Sequence, residues 1–481
     1  MKMHKISDGI WQIDPDQKHG MRVPAVIYAS DRLIDAMEDG VKEQITNVAC
    51  LPGIVKKAMV MPDGHNGYGF PIGGVAAFST EDGVISPGGI GFDINCGIRM
   101  LRTGLTRQEV MPKLEDLIKA LFKAVPTGVG CKGQLNLSRK DFNDVISGGV
   151  KWCRDNGYAT QGDFDSIEEK GWLKWADPAT VSERAVKRGI DQLGTLGSGN
   201  HFLEIGVVTE NNIFDSEAAQ KMGIDRSDQI VIMIHCGSRG FGHQVASDYL
   251  KSMTKAMHKY GIKVNDRELA CAPFKSDEGQ KYFKAMACGA NMAFANRQII
   301  THRVREVFSR VFNKDPHQLG ISTVYDVCHN IAKKENYTVD GRDMEVVVHR
   351  KGATRSFGPD RDGVPERYRG LGQPVIVGGS MQTGSYLMLG TEYADRETFG
   401  STLHGSGRTM SRSKAKKQVH GKSLLKEMRE AGIYVQAASM PGLAEEAGIA
   451  YKQIDDVIQA IDDLGISKKV VKILPLGNIK G

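Results

Sequence analysis

Three short apolar runs end in a histidine and then turn. They are Gln229-Ile-Val-Ile-Met-Ile-His235-Cys-Gly-Ser-Arg239, Thr323-Val-Tyr-Asp-Val-Cys-His329-Asn330 and Glu345-Val-Val-Val-His349-Arg350-Lys351-Gly352. Two glycine-rich segments add further ligand-type groups: Gly194-Thr-Leu-Gly-Ser-Gly-Asn200-His201-Phe202-Leu203-Glu204 and Ser86-Pro-Gly-Gly-Ile-Gly-Phe-Asp93-Ile-Asn95-Cys96-Gly97. Strand ends are rigid and can bring several side chains to one point. Imidazole, carboxylate and thiolate together suit a transition or borderline divalent ion. In an extended segment Asp93 and Asn95 share a face, whereas Cys96 joins Asp93 only through a turn, which Gly97 would supply. A thiolate can bridge two metals, so Asp93, Cys96, His201, His235 and His329 could hold a dinuclear site. A single histidine at a strand end is more often a structural residue, and the pattern alone leaves the two readings level. His349, followed by Arg350, Lys351 and Arg355, suits phosphate contact better than ligation. His4, His19, His258, His302, His317 and His420 have no such setting and read as structural or solvated.

Several loops place bare backbone N–H groups beside cationic side chains, an arrangement that cradles phosphate. They are Gly237-Ser238-Arg239-Gly240, Gly378-Gly379-Ser380-Met381-Gln382-Thr383-Gly384-Ser385 and His404-Gly405-Ser406-Gly407-Arg408. Glycine also merely makes turns, so the weight lies in three such loops occurring together. Gly421-Lys422-Ser423 has the tail of a P-loop, but Lys416 stands where the first glycine is required. No Asp-Gly pair has a lysine two positions earlier, so the lysine-nucleophile motif of familiar ligases is absent. Histidine is then the candidate nucleophile for nucleotide activation, because neutral imidazole attacks phosphorus at pH 7. His404 fits best, between Gly400-Ser401-Thr402-Leu403 and Gly405-Ser406-Gly407-Arg408. Downstream, Arg408, Arg412, Lys414, Lys416, Lys417 and Lys422 form a basic stretch, suited to a solvated helix face or to an RNA backbone.

The elements that must position these groups follow from periodicity. Apolar residues at three- and four-residue spacing predict helices over 31–48, 107–124, 182–193, 243–260, 278–312 and 451–464. The 278–312 stretch reads as a central buried helix, and the scattered glycines of 128–149 read as loops. β-Branched runs predict strands over 54–61, 83–85, 229–234, 323–327, 345–348 and 374–377. Helices and strands do not alternate regularly, so a mixed α+β architecture is expected rather than a doubly wound sheet.

Composition sets the outer limits. The chain of 481 residues is 41% hydrophobic and 25% charged. That balance is ordinary for a globular protein and excludes disorder, collagen and coiled coil. Glycine is enriched, with 56 in the chain, and the net charge is +6. Such a charge tolerates a polyanionic partner without requiring one. No apolar stretch approaches the roughly 20 residues that span a bilayer. The N-terminus lacks a signal-peptide core, so a cytoplasmic location without membrane contact is expected. The eight cysteines form no CxxC pair, which argues against disulfides and a structural zinc knuckle.

The segments 61–74, 86–97, 196–204, 235–244, 349–355 and 404–408 closely resemble the RtcB family of RNA-splicing ligases, and the resemblance runs to Lys480-Gly481. It implies one large mixed domain over 1–481, with 125–195 as a peripheral insertion and the site at strand ends and glycine-rich loops. It implies a ligase that uses GTP and two Mn2+ ions to join RNA 3′-phosphate or 2′,3′-cyclic phosphate ends to 5′-hydroxyl ends, as on tRNA halves. By this resemblance His404 is the guanylylated nucleophile, and Asp93, Cys96, His201, His235 and His329 are the metal ligands with Cys96 as bridge. Matching positions place Asn200, His201, Phe202, Glu204, His329, Asn330, Gly378, Gly379, Ser380, Met381, Ser385, His404, Gly405, Ser406, Gly407, Tyr451 and Lys480 around the guanylate. Arg239, Lys351, Arg355, Arg408 and Arg412 become candidates for RNA phosphates. Asp63 and His65 could aid a later step or simply build a turn. Archease is an expected helper whose necessity the sequence does not decide. The rivals are a dinuclear phosphodiesterase, which needs the ligands but not His404, and a noncatalytic RNA-binding protein.

Overall fold

The computed structural model describes residues 1–481 and contains two large sheets joined by a long helix. The first sheet has seven strands in the order His4–Ser7, Ile10–Ile13, Ala25–Tyr28, Ile54–His65, Ile72–Ser79, Arg342–Lys351, Asn330–Val339. The second runs Ser322–Cys328, Gly97–Thr106, Gln229–Cys236, Phe202–Val208, Ser467–Lys480, Ser385–Gly390, Pro374–Val377, with Tyr434–Ala437 added alongside Ser467–Lys480. Nearly all pairings are antiparallel, so the mixed α+β expectation holds; Ala25–Tyr28 with Ile54–His65 is a parallel exception. No helix is long and apolar enough to cross a membrane.

The central helix forms as its sequence requires. Asp277–Phe312 starts at Ser276, whose hydroxyl accepts the Gly279 N–H, and it ends where Asn313 turns left-handed at φ 51°. Every residue from Ala285 to Thr301 is buried, because apolar groups face outward all round the helix. The part ending at Ile299 packs into the largest core and the part from Ile300 to Phe308 into a second one. Its polar residues Asn291, Asn296, Arg297 and Gln298 are therefore buried and must find partners inside the protein.

Other elements depart from the periodic expectation for local reasons. The 31–48 helix is two, Asp31–Asp35 and Asp39–Val48, because Glu38 is extended. The 107–124 helix is interrupted at Met111–Lys113, where Pro112 lacks the N–H that a continuous helix would use. The helix expected at 243–260 begins earlier, at Arg239. The region 128–149 is not all loop: Ser138 and Asp141 cap each other reciprocally and start the helix Arg139–Gly148. The 125–195 segment is tied to the central helix, with Asn291 donating to Ile146 O at 3.0 Å and accepting from Leu173 N at 2.8 Å. Strands such as Ile72–Ser79 and Asn330–Val339 escaped the sequence pattern because glycine or charged residues dilute their apolar run.

Candidate active site

Strand order explains how the ligand-type residues meet. Ser322–Cys328, Gly97–Thr106, Gln229–Cys236 and Phe202–Val208 are consecutive neighbours, and Gly97 is registered with both Cys328 and Cys236 while Phe202 faces His235. His329, Cys96, His235 and His201 therefore emerge side by side from one rim. The turn that brings Cys96 under Asp93 is made by Asn95, at φ 55°, and closed by Cys96 N–H to Asp93 O at 3.0 Å. Gly97, expected to make that turn, serves otherwise: a Cβ there would meet Val327 O at 2.4 Å, so its absence lets the neighbouring strand approach.

The ligand atoms of Cys96, His235 and His329 lie within 4.8 Å of one another, as do those of Asp93, Cys96 and His201. Cys96 belongs to both groups, its Sγ 3.4 Å from His201 Nε2 and 3.3 Å from His235 Nε2. His201 Nε2 is 2.8 Å from Asp93 Oδ2, and His235 Nε2 is 3.4 Å from His329 Nε2. The Nδ1 atoms of His201 and His235 face the carbonyls of Leu196 and Asn200 at 3.0 and 3.1 Å. Those carbonyls can accept from Nδ1–H, which would leave each Nε2 free to ligate an ion in the cluster. Asp93 Oδ1 is buried without a partner. Burial pushes the Cys96 thiol up to about 12, with Asp93 adding to the effect. Burial would also raise Asp93, but His201 outweighs it and holds the carboxyl well below its usual range. One carboxylate, one thiol and three imidazoles, with an unpaired oxygen among them, make a donor set that fits divalent transition ions.

A cavity of about 230 Å³ opens over this cluster, and His404 lines it. His404 Nδ1 lies 2.6 Å from Asp63 Oδ2, and the same oxygen accepts the backbone N–H groups of His404 and Gly405 at 3.0 and 3.2 Å. Asp63 is fully buried; burial raises its carboxyl, but contact with His404 more than offsets this and holds it below its usual range. Lys452 Nζ fixes the end of the strand Ile54–His65 by donating to Pro62 O and Gly64 O at 2.9 and 2.7 Å. Position 407 needs a residue without a side chain: its φ is 72°, and a Cβ would sit 2.1 Å from Asp63 O. Glycine alone meets both demands without strain. Gly378 accepts from Ser406 N and donates to His404 O, joining the two glycine-rich loops. The His404 ring is 4.8 Å, centroid to centroid, from that of His329, so it adjoins the metal-type cluster.

The residues expected around a guanylate line this cavity, with two exceptions. His201 lies beneath it against Asp93, and Ser385 supports it from behind by accepting the Gly379 N–H at 3.1 Å. Glu204 is 2% exposed; Asn478 donates to its Oε2 at 2.8 Å and its Oε1 has no partner. Burial raises its carboxyl to about 7, against the lowering effects of Asn478 and Lys480. Lys480 is a strand residue rather than a free terminal cation, 3.8 Å from the buried Glu446. Tyr451 donates its hydroxyl to Glu446, and the Arg408 guanidinium lies 4.9 Å from its ring centroid.

The RNA-phosphate candidates divide. Lys351 is buried and donates to the carbonyls of Tyr68, Phe70 and Gly88, with its pKa lowered by burial to about 7, so it braces the fold instead of facing RNA. Arg355 is likewise internal, paired with Glu168 at 3.2 Å and Glu169 at 2.5 Å. Arg239 donates to Thr195 Oγ1 at 3.2 Å beside His201. Arg408 and Arg412 line the cavity and pair with Glu446. His349, expected near phosphate, is fully buried between Phe70 and Phe78 and accepts from Ser86 N. Glu446 and Asn478 line the cavity and Asp63 supports His404 from behind it, and the sequence predicts none of these three placements. The segment Met61-Pro-Asp-Gly-His65, expected as a turn but ending a strand, carries a signal for Asp63, whereas nothing in the sequence marks Asn478.

A family model described as "tRNA-splicing ligase RtcB" matches residues 44–481. The chain is 52% identical over 477 residues to the tRNA-splicing ligase RtcB of Methanococcus maripaludis, covering 99% of both chains. It is 52% identical to the protein of the same name from Thermococcus kodakarensis, covering 98% of this chain and 97% of that one. With the Archaeoglobus fulgidus protein of that name it shares 51% over 479 residues, covering 100% and 99%. Together with the rim of ligand-type residues and the backed histidine above it, these likenesses over the full length show that the chain belongs to the RtcB family.

Proposed function

We propose that the protein is an RNA ligase that uses GTP and two manganese ions to join RNA 3′-phosphate ends to 5′-hydroxyl ends, as in rejoining tRNA halves. The observation that carries this is His404, backed by Asp63 at 2.6 Å and opening into the same cavity as the Cys96-centred cluster. Asp63 accepts a hydrogen bond from Nδ1–H, which leaves the Nε2 lone pair for attack. The lone pair forms a bond to the α-phosphorus of GTP while the bond to pyrophosphate breaks. An RNA 3′-phosphate oxygen then takes the guanylate and returns the lone pair to His404. Finally the 5′-hydroxyl oxygen attacks the activated 3′-phosphate, loses its proton, and GMP departs; a 2′,3′-cyclic end is first hydrolysed to the 3′-phosphate. Asp93, Cys96, His201, His235 and His329 would hold the two ions, with Cys96 common to both. Bound there, manganese neutralises phosphate charge and makes the approach of two anions less costly. A phosphodiesterase would need the ligand cluster but no histidine backed by a buried carboxylate.

The test is transfer of label. Incubated with manganese and GTP labelled at the α-phosphate, the protein should acquire label that survives alkali and is lost in acid, as a phosphoramidate does. No label, or acid-stable label, removes this reading.

Glu204 is the proposed reader of guanine. Its unpartnered Oε1 would accept from the N1–H and 2-amino edge, which adenine does not offer. Because its pKa is raised to about 7, the accepting form fills in as pH rises through that value. Glu204→Gln should reduce the GTP-over-ATP preference about tenfold or more, as loss of a hydrogen bond to a charged group implies. It should also flatten the pH dependence of GTP binding; competition binding at pH 6 and 8 measures both, and unchanged discrimination would exclude the role.

A further inference from the structure

We propose that Arg297 is a positioning residue that holds three ligand-bearing segments in register from the central helix. The proposal rests on the reading of Asp93, Cys96, His235 and His329 as metal ligands. Arg297 lies in Asp277–Phe312, is fully buried, and touches none of those side chains within hydrogen-bond distance. Its guanidinium donates through Nη1 to Asn95 O at 2.9 Å and Cys236 O at 2.7 Å. Through Nη2 it reaches Asn95 Oδ1 at 2.9 Å and Asp326 Oδ1 at 2.8 Å. Its Nε–H is shared between both Asp326 oxygens at 3.0 Å.

All five guanidinium hydrogens are thus used, on three separate pieces of chain. Asn95 stands next to Cys96, Cys236 next to His235, and Asp326 lies on the strand that leads into His329. A planar fork with five fixed donors can satisfy this set; a lysine ammonium, with three donors on a flexible stem, cannot. The fork is itself held, because Asp326 also accepts from Arg99 Nε at 2.8 Å. The preceding residue, Asn296, extends the arrangement to the fourth segment: its Oδ1 accepts from Gly194 N at 2.7 Å, in the loop that leads to His201. A rigid, wholly buried helix turn therefore sets the spacing of the rim, which the strand ends alone would leave to loop geometry.

The consequence is a specific dependence of metal affinity on the shape of the group at 297, and not on its charge alone. Outer partners of metal ligands typically alter affinity about 10- to 100-fold. Titration of the full-length protein with cobalt(II), followed by the thiolate-to-cobalt absorption band, reads this directly without any turnover. Arg297→Lys should weaken cobalt binding about 10- to 100-fold. Wild-type affinity in a folded Arg297→Lys protein would show that charge alone suffices and would overturn the proposal. If that variant does not fold, Asn95→Gly decides, since it keeps the left-handed turn and removes one acceptor of the fork; it should weaken cobalt binding, while Asn95→Asp, which retains an acceptor, should not. Equal affinity in the two would overturn the proposal as well. Failure of the underlying reading looks different: wild type would lack the thiolate band, or Cys96→Ala would keep it, and the proposal would fall with it.

Discussion

His404→Ala is expected to abolish guanylate transfer to the protein and, with it, sealing of RNA ends. On the proposed covalent mechanism, loss of the nucleophile leaves only the contribution of the surrounding site, so sealing should fall by at least about 10⁴-fold. Intact-mass spectrometry after incubation with GTP and manganese gives the sharpest readout: a gain of one guanylate in wild type, none in the variant. The imidazole lies on the cavity wall and not in the core, so its removal should leave the fold and the Cys96-centred cluster in place. Sealing that persists in the variant would place the activated phosphate elsewhere.

The second large effect is expected at Asp63, 341 positions away in the chain and fully buried. Its Oδ2 receives three N–H groups from the His404 segment: the ring Nδ1 and the backbone of His404 and Gly405. Asp63→Asn keeps the size but can turn an amide N–H toward Nδ1, which favours the tautomer with its proton on Nε2. That proton blocks the lone pair needed for attack. Comparable tautomer errors in histidine-based catalysis cost on the order of 10⁴-fold, so single-turnover guanylylation should fall about 10²- to 10⁴-fold. GTP affinity should change little, because Asp63 sits behind the ring. A parallel loss of GTP binding, or guanylylation at the wild-type rate, would contradict this role. The carboxyl is held below its usual range by His404, so it stays ionised through neutral and mildly acidic pH, and its support should not titrate there.

Much of the site is legible in the order of residues alone. The ligand-type residues stand out as strand-end or glycine-flanked groups, and the strand order does gather them at one rim. His404 is marked by its place between two small-residue runs once lysine-nucleophile motifs are excluded. The basic residues are harder. Lys351 and Arg355 look like their exposed neighbours in a sequence, yet one donates to three carbonyls and the other pairs with two glutamates. A cation's role depends on whether partners surround it, and those partners come from distant chain segments. His349 misleads for the same reason, since its strand end is buried by Phe70 and Phe78.

By itself the chain's order of residues determined the long apolar helix, the mixed architecture, and which groups could bind a cation or attack phosphorus. These follow from local periodicity and from the donors each side chain carries, and from the likeness to one family over nearly the whole chain. Only the tertiary structure decided that Asp63 backs His404 and that Arg297 binds three segments together. Each of those contacts joins residues brought together by sheet order and the placement of one buried helix. Short-range pattern carries no information about such pairings, because their geometry is set by the packing of the whole core.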